Sequence, residues 1–461
     1  MKRAIALIDG EHYPSVVREA LEEVSTRYEL LAAVFLGGTE KIDTSLAGDA
    51  RQNEYGIPVF LHENAEEAFA LAVLKHHPQV VVDLSDEPVL GYKERFRYAS
   101  LVLASGAEYQ GADFTLLPPS FHKLSVKPSL SIIGTGKRIG KTAISGYVSR
   151  EISEALLQSG HTDGVVIVAM GRGGPPDPEV ITGRESIIGA VELLSYSRQG
   201  KHAASDYFED AALSSVTTVG CRRCGGGLAG APFVSNVVEG AGIAESLPAD
   251  LLIFEGSGAA LPPIEVNRTI CVAGADQPYD YLLGYLGTYR MLISDLVVLT
   301  MCEEPLASPE KIESIITGIK DLKPGIEVVP TVLRPKPAGD IKGRKIAYFT
   351  TAQGEVVEHI AGFISRTYDC SVEFVSTELA DRKKLRADLA SIQPGAVDLF
   401  LTEIKAAAID VVTEEADRLD MEVVFCDNVP VEVDGKERLA SLVAEMAGQA
   451  IRDFKAERSD G

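Results

Sequence analysis

Short apolar runs recur along the whole chain, most of them ending in glycine, threonine or an acidic residue, and helical spacing separates many of them. Ala4–Ile8 (AIALI) runs into Asp9-Gly10, and Ser15–Arg27 then carries its apolar residues at helical intervals. Leu30–Leu36 (LLAAVFL) ends at Gly37-Gly38, a helical stretch covers Ala65–Lys75, Val80–Asp83 (VVVD) follows, and a second helix fits within Tyr92–Ser105. Runs this short, apolar throughout and alternating with helices, predict parallel strands buried on both faces of a sheet. The pattern thus predicts an N-terminal Rossmann-like α/β domain over roughly residues 1–125, closing near Pro118-Pro119.

The alternation then resumes with Leu130–Ile133, Val165–Ala169 (VVIVA), Leu251–Phe254 (LLIF), Thr269–Ala273 and Leu296–Thr300 (LVVLT). These predict a second α/β domain over roughly residues 126–335. Leu333–Lys345 (LRPKPAGDIKGRK) has the proline, glycine and charge of a linker. After it come IAYFTTA, a helix within Glu355–Arg366, CSVEFVS, DLFLTEI, MEVVFCD and a closing helix from about Lys436. Residues 336–461 are therefore either a third α/β domain or an extension of the central sheet.

Within the second domain, Leu130–Ser145 (LSIIGTGKRIGKTAIS) is a strand, a glycine-rich turn, then Gly140-Lys141-Thr142 opening a helix. Such a turn lets several backbone N–H groups converge on one phosphate chain, and the helix N-terminus adds partial positive charge. The nucleotide cradle is predicted to comprise Gly134, Thr135, Gly136, Ile139, Gly140, Lys141, Thr142 and Ala143. Lys141 reaches the β- and γ-phosphates of ATP and Thr142 places its hydroxyl on Mg²⁺. Position 135 holds threonine where the common spacing has glycine. This variant loop resembles the P-loop of dethiobiotin synthetase and its relatives. A P-loop also requires an acid at the end of a neighbouring strand. Glu255, in Phe254-Glu255-Gly256-Ser257-Gly258, is the candidate second metal ligand, ahead of Asp9, Asp83 and Asp163.

Composition sharpens the picture. A chain of 461 residues exceeds one hydrophobic core, and its 46% hydrophobic and 24% charged content is that of a globular protein. No apolar run is long enough to cross a bilayer, and Asp9 comes too early for a signal peptide, so a cytoplasmic protein without membrane contact is expected. A net charge of -23 argues against nonspecific binding to nucleic acid, which needs a basic surface. Cations gathered in so acidic a chain point to a particular anion. Lys137 and Arg138 add to Lys141 within the loop. Arg172 follows a strand in MGRGGPPDP, where ligands bind in open α/β sheets. Lys141, Lys137, Arg138 and Arg172 are the candidate catalytic cations. Arg222, Arg223, Gly225 and Gly226 in TVGCRRCGGG form a second basic, glycine-rich loop. With Arg172 and His12 they are the candidate contacts to an acceptor. Arg184, Lys201, His202, Arg268 and Arg290 are weaker candidates, Lys41 joins His12 as a candidate substrate contact at the ligand-binding edge of the first sheet, and Met301–Pro305 (MCEEP) is a weak candidate for the adenine.

Of six cysteines only Cys221 and Cys224 are close in sequence. Two thiolates fall short of a closed zinc site, and no second pair follows, so both are read as small packing residues beside an anion clamp.

GTGKRIGKTA, MGRGGPPDPE, GCRRCGGGLAG, IFEGSGAALPP and LIDGEHYP, in this order of function rather than of chain, together resemble the cyclic 2,3-diphosphoglycerate synthetases. The resemblance implies an ATP- and Mg²⁺-dependent closure of 2,3-diphosphoglycerate into a cyclic phosphoanhydride, and a homodimer. Two other readings stay open on the residues alone. One is a P-loop kinase that phosphorylates a phosphoglycerate to an acyclic product, the other a nucleotide-switched metallochaperone using Cys221 and Cys224.

Overall fold

The apolar runs become strands in a computed structural model that describes residues 1–41, 54–124, 126–183, 190–199, 206–405 and 408–459. The chain divides into two units, one of Met1–Pro119 with Tyr279–Ile293 and one of Ser120–Pro278 with Ser294–Gly461. In the first, β1 (Arg3–Ile8), β2 (Glu29–Phe35), β3 (Val59–Phe60), β4 (Val80–Asp83), β5 (Glu108–Gln110) and β6 (Thr115–Leu116) form one sheet in the order β3-β2-β1-β4-β5-β6. All pairs but β5/β6 are parallel. The helix Pro14–Arg27 starts on a proline that needs no hydrogen-bond partner and turns Val17, Leu21 and Val24 onto the sheet. At three and four residues apart, those positions share one face.

The second unit holds β7 (His122–Lys123), β8 (Ser129–Gly134), β9 (Val165–Gly171), β10 (Glu179–Ile181), β11 (Thr217–Cys224), β12 (Val234–Ser235), β13 (Leu251–Glu255), β14 (Ile264–Glu265), β15 (Arg268–Gly274) and β16 (Leu296–Thr300). It continues with β17 (Glu327–Pro337), β18 (Lys345–Phe349), β19 (Ser371–Ser376), β20 (Leu399–Glu403) and β21 (Glu422–Glu432). One large sheet runs β10-β11-β9-β13-β8-β15-β16-β17-β21-β20-β18-β19, with β12 paired to β11. Its pairs are parallel except β10/β11, β11/β12 and β17/β21. From β8 the chain steps outward to β9 on one side and later to β15 and β16 on the other. That reversal opens a crevice at the carboxyl end of β8, where open α/β sheets bind ligands.

The helix Lys141–Gln158 lies over this centre. Its Ile144, Val148, Ile152 and Leu156, four residues apart, meet Leu130, Ile132, Ile167, Ile253 and Ile270 in one core. Each such side chain, fully buried, contributes about 1.5–3 kcal/mol, which fixes the helix and with it the loop at its start.

Two segments differ from the sequence reading. Leu333–Pro337 is strand, not linker: β17 pairs with β16 as far as Pro330, then turns its other half to β21. Pro335, Pro337 and Pro430 all fall on the alternate pairs whose N–H groups point away from the partner, so the prolines break no ladder bond. This switch joins β18–β21 to the central sheet. TVGCRRC is also strand rather than loop, and Gly225–Gly227 follow it.

Candidate active site

β8 ends at Gly134 and the helix begins at Lys141, so residues 135–140 form the turn between them. Arg138 and Gly140 have φ of 60° and 77°. At Gly140 the left-handed backbone and a contact with Leu333, whose Cδ1 would lie 2.3 Å from an added Cβ, both exclude a side chain. No side chain caps this helix, leaving the first amides for an anion. Ile139 and Ala143 are buried and anchor the turn, and the Ile139 carbonyl accepts a 2.8 Å bond from Thr300 Oγ1. Thr135, in the unusual position, donates its hydroxyl to Gln277, while its amide bonds Val272 O at 3.1 Å and so prolongs β8.

Lys141 is buried and its Nζ lies 2.6 Å from Glu255 Oε1 at the end of β13. Thr142, half-buried, stands beside it. Glu255 is 1% exposed, and its Oε2 has no donor among the described residues. Neither does either oxygen of Asp210. Burial, then the Glu255 charge, push the Asp210 carboxyl well above the usual carboxylate range. Asp206 is raised for the same two reasons, and burial pushes Glu209 up to about 8 despite the charge of Lys405. These three acids come from the helix Asp206–Ser214 at positions three and four apart. Sequence reasoning missed them, although DYFED carries their one-face spacing plainly.

A cavity of about 530 Å³ opens beside the turn. Lys137, Arg138, Lys141 and Thr142 line one wall, and Arg172 follows β9 into it. An added Cβ on Gly258 would lie 2.6 Å from Arg172 Nη2, 3.7 Å from Arg223 Nη2 and 3.7 Å from Lys137 Cγ, so three predicted cations surround one point of backbone. Arg223 reaches it by donating Nη2 to Ser257 O at 2.7 Å and Nη1 to Gly225 O at 2.9 Å. Burial first and Arg172 second pull its guanidinium below the ordinary arginine value, an effect a bound anion would offset. Thr351 and Lys405, just past β18 and β20, and Arg382 and Asp410, from helices of the C-terminal segment, line the same cavity. Sequence reasoning assigned them nothing, although Thr351 and Lys405 each stand just past a strand.

The other predicted residues separate. Arg222 is exposed, its amide bonding Asn236 Oδ1 at 2.7 Å, and neither it nor Gly225 or Gly226 lines the cavity. Cys221 is buried against Val168, Val219 and Ala241, and burial pushes its thiol up to about 12. Cys224 is exposed, which corrects its reading as a packing residue. Residues three apart on a strand face opposite sides, so the two sulfurs do not converge. No group of three metal-ligating side chains occurs among the described residues. Arg268 opens β15, the strand end opposite the turn, and pairs with Asp453 at 2.5 Å. Asp163 likewise precedes β9, its amide bonding Asp250. Glu303 of MCEEP pairs with Arg334 at 2.6 Å. Arg184, Lys201 and His202 lie outside the described residues.

In the first unit, His12 Nδ1 lies 2.8 Å from the buried Asp9, whose other oxygen accepts the Asp86 amide at 2.6 Å. Lys41 pairs with Glu40, Asp83 bonds Arg95 and Tyr109, and Arg290 is buried with Nη1 donating to Leu286 O. Asp9 and Asp83 thus each have protein hydrogen-bond partners.

Three family models cover the chain in succession. They are the cyclic 2,3-diphosphoglycerate synthetase N-terminal domain over residues 3–117, its P-loop domain over 129–332 and its C-terminal domain over 337–429. Among relatives, a cyclic 2,3-diphosphoglycerate synthetase of Rubrobacter xylanophilus is 49% identical over 97% of this chain and 98% of its own. Those of Methanothermus fervidus and Thermococcus kodakarensis are 44% identical, over 99% and 95% of this chain and 99% and 97% of theirs. With every domain matched in order and nearly full-length identity at this level, the chain belongs to the cyclic 2,3-diphosphoglycerate synthetase family.

Proposed function

We propose that this chain uses ATP to close 2,3-diphosphoglycerate into its cyclic phosphoanhydride, releasing ADP and phosphate. The observation that carries the reading is one cavity that joins a P-loop turn to cations a nucleotide does not need, Lys137, Arg138 and Arg172. One substrate phosphate oxygen attacks the γ-phosphorus of ATP, and the bond to ADP breaks. The second substrate phosphate then attacks the phosphorus of the first, expelling the transferred group as inorganic phosphate and closing the ring. Both attackers are already anionic, so no general base is needed. The obstacle is repulsion, about 4 kcal/mol per pair of unit charges at 4 Å in an effective dielectric of 20, and two dianionic phosphates make four such pairs. The turn amides and Lys141 hold the ATP phosphates, while Arg172, Lys137 and Arg138 offset charge at the acceptor and Arg223 braces the Ser257–Gly258 backbone beneath it.

Mg²⁺ fits this site: the donor-free Glu255 Oε2 and the Thr142 hydroxyl would hold it once the phosphates draw Lys141 away. There it would neutralise charge on the phosphate oxygens. The protein acts as a cytoplasmic homodimer, and among the described residues no helix is long and apolar enough to cross a membrane. Phosphorus NMR of the product formed from ATP and 2,3-diphosphoglycerate tests the reading. A ring anhydride is expected, and acyclic product alone would make the chain a kinase.

A further inference from the structure

Lys405 and Arg382 are the cations lining the cavity that neither the P-loop pattern nor the arginine motifs account for, and Arg382 is paired with Asp410. Lys405 stands two residues past β20, on the far side of β15, β16, β17 and β21 from β8, yet lines the same cavity as Lys141. The strand end two residues before it is anchored through a side chain. Glu403, 4% exposed, accepts bonds from Thr350 Oγ1 at 2.8 Å, the Thr351 amide at 3.1 Å, Thr351 Oγ1 at 2.8 Å and Asn428 Nδ2 at 2.8 Å. From that anchor the Lys405 side chain, 26% exposed, reaches Glu209 Oε1 at 3.4 Å. Burial pulls its ammonium down, but Glu209 and Glu403 outweigh this and hold it above the ordinary lysine value. Lys141, Arg172 and Lys405 line one cavity together with Asp206.

At 3.4 Å the contact to Glu209 is longer than a charge-assisted hydrogen bond, so Lys405 can turn to another anion at little cost. Lys141 and the turn amides are assigned to the nucleotide phosphates, and Lys405 reaches the cavity from a separate strand end, β20. We propose that Lys405 binds a phosphate of the acceptor, leaving Glu209 when the polyanion arrives, so that the C-terminal strands complete the acceptor site. This rests on the cyclisation reading for the identity of the acceptor, though not for the ligand role itself.

The rival account is that Lys405 only neutralises Glu209. Calorimetric titration of 2,3-diphosphoglycerate without nucleotide, alongside KM for both substrates, separates the two. Lys405→Met weakens diphosphoglycerate binding and raises its KM by about 10- to 100-fold, the loss of one charge-assisted bond, while KM for ATP moves less than about twofold. Lys405→Arg recovers part of the loss. In Lys405→Met/Glu209→Gln no acid is left unpaired, which also guards against misfolding of the single variant. The double variant stays about 10-fold or more weaker in diphosphoglycerate binding. A double variant restored to within about twofold of wild type would overturn the proposal and leave Lys405 a neutraliser. If the wild type binds diphosphoglycerate through Lys405 but forms no ring, the ligand role stands and the cyclisation reading falls. A wild type that does not bind diphosphoglycerate overturns both.

Discussion

Lys141 joins folding to function, and substituting it alone confuses the two. Its ammonium and Glu255 are 8% and 1% exposed at 2.6 Å, so Lys141→Met strands a carboxylate in the interior. Removing one partner of a buried pair costs about 3–5 kcal/mol. A ceiling comes from protonation, since holding an ordinary glutamate neutral at pH 7 costs about 3.7 kcal/mol. The expected loss in the ligand-free protein is therefore about 3–4 kcal/mol. Adding Glu255→Gln removes the charge at nearly constant shape and restores most of that stability. Turnover stays about a hundredfold or more below wild type in both proteins, because neither presents an ammonium to the phosphates. Denaturant unfolding at pH 7 measures the first quantity and phosphate release the second. A Lys141→Met protein as stable as its parent would refute the buried pair, and a double variant that regains turnover would refute Lys141 as the phosphate ligand.

The two arginines of TVGCRRCGGG should part company. Arg223→Ala frees the Ser257 and Gly225 carbonyls and raises KM for diphosphoglycerate by about 10-fold, whereas Arg222→Ala shifts it less than about twofold, and equal effects in steady-state kinetics would contradict the strand geometry. At Gly240 an added Cβ would sit 2.2 Å from Cys221 Sγ, so Gly240→Ala destabilises by about 1–3 kcal/mol and Cys221→Ala relieves it. Denaturant midpoints read this, and no relief in the pair would refute Cys221 as a packing residue. Glu209 titrates at about 8 in the folded protein against 4.5 ordinarily, so the native state holds a proton that the unfolded chain releases between those values. Its contribution to stability is full below about 4.5 and is lost as pH rises toward 8, with a slope of up to about 1.4 kcal/mol per unit. Glu209→Gln therefore flattens the fall in unfolding free energy between about pH 5.5 and 7.5, and parallel profiles for variant and parent would refute the raised value.

The local chemistry of the nucleotide turn was legible because a strand, a glycine-rich turn and a helix start are contiguous, and their order alone determines where amides and Lys141 point. Strand identity was legible for the same reason, since burial on both faces leaves an unbroken apolar run such as VVIVA or LLIF. In TVGCRRC the strand buries Thr218–Cys221 and leaves Arg222 and Cys224 exposed, a change of environment along the strand that the sequence reading missed. Positions three apart on a strand face opposite sides, which keeps the sulfurs of Cys221 and Cys224 apart. What only tertiary structure decided was company between distant residues. Lys141 meets Glu255 across 114 positions, and Lys405 meets Glu209 because β17 turns from β16 to β21 and carries the last strands into the central sheet. Sequence specifies each strand end through local pattern, whereas strand order is set by which faces bury best together, a sum over the whole core that no single segment contains.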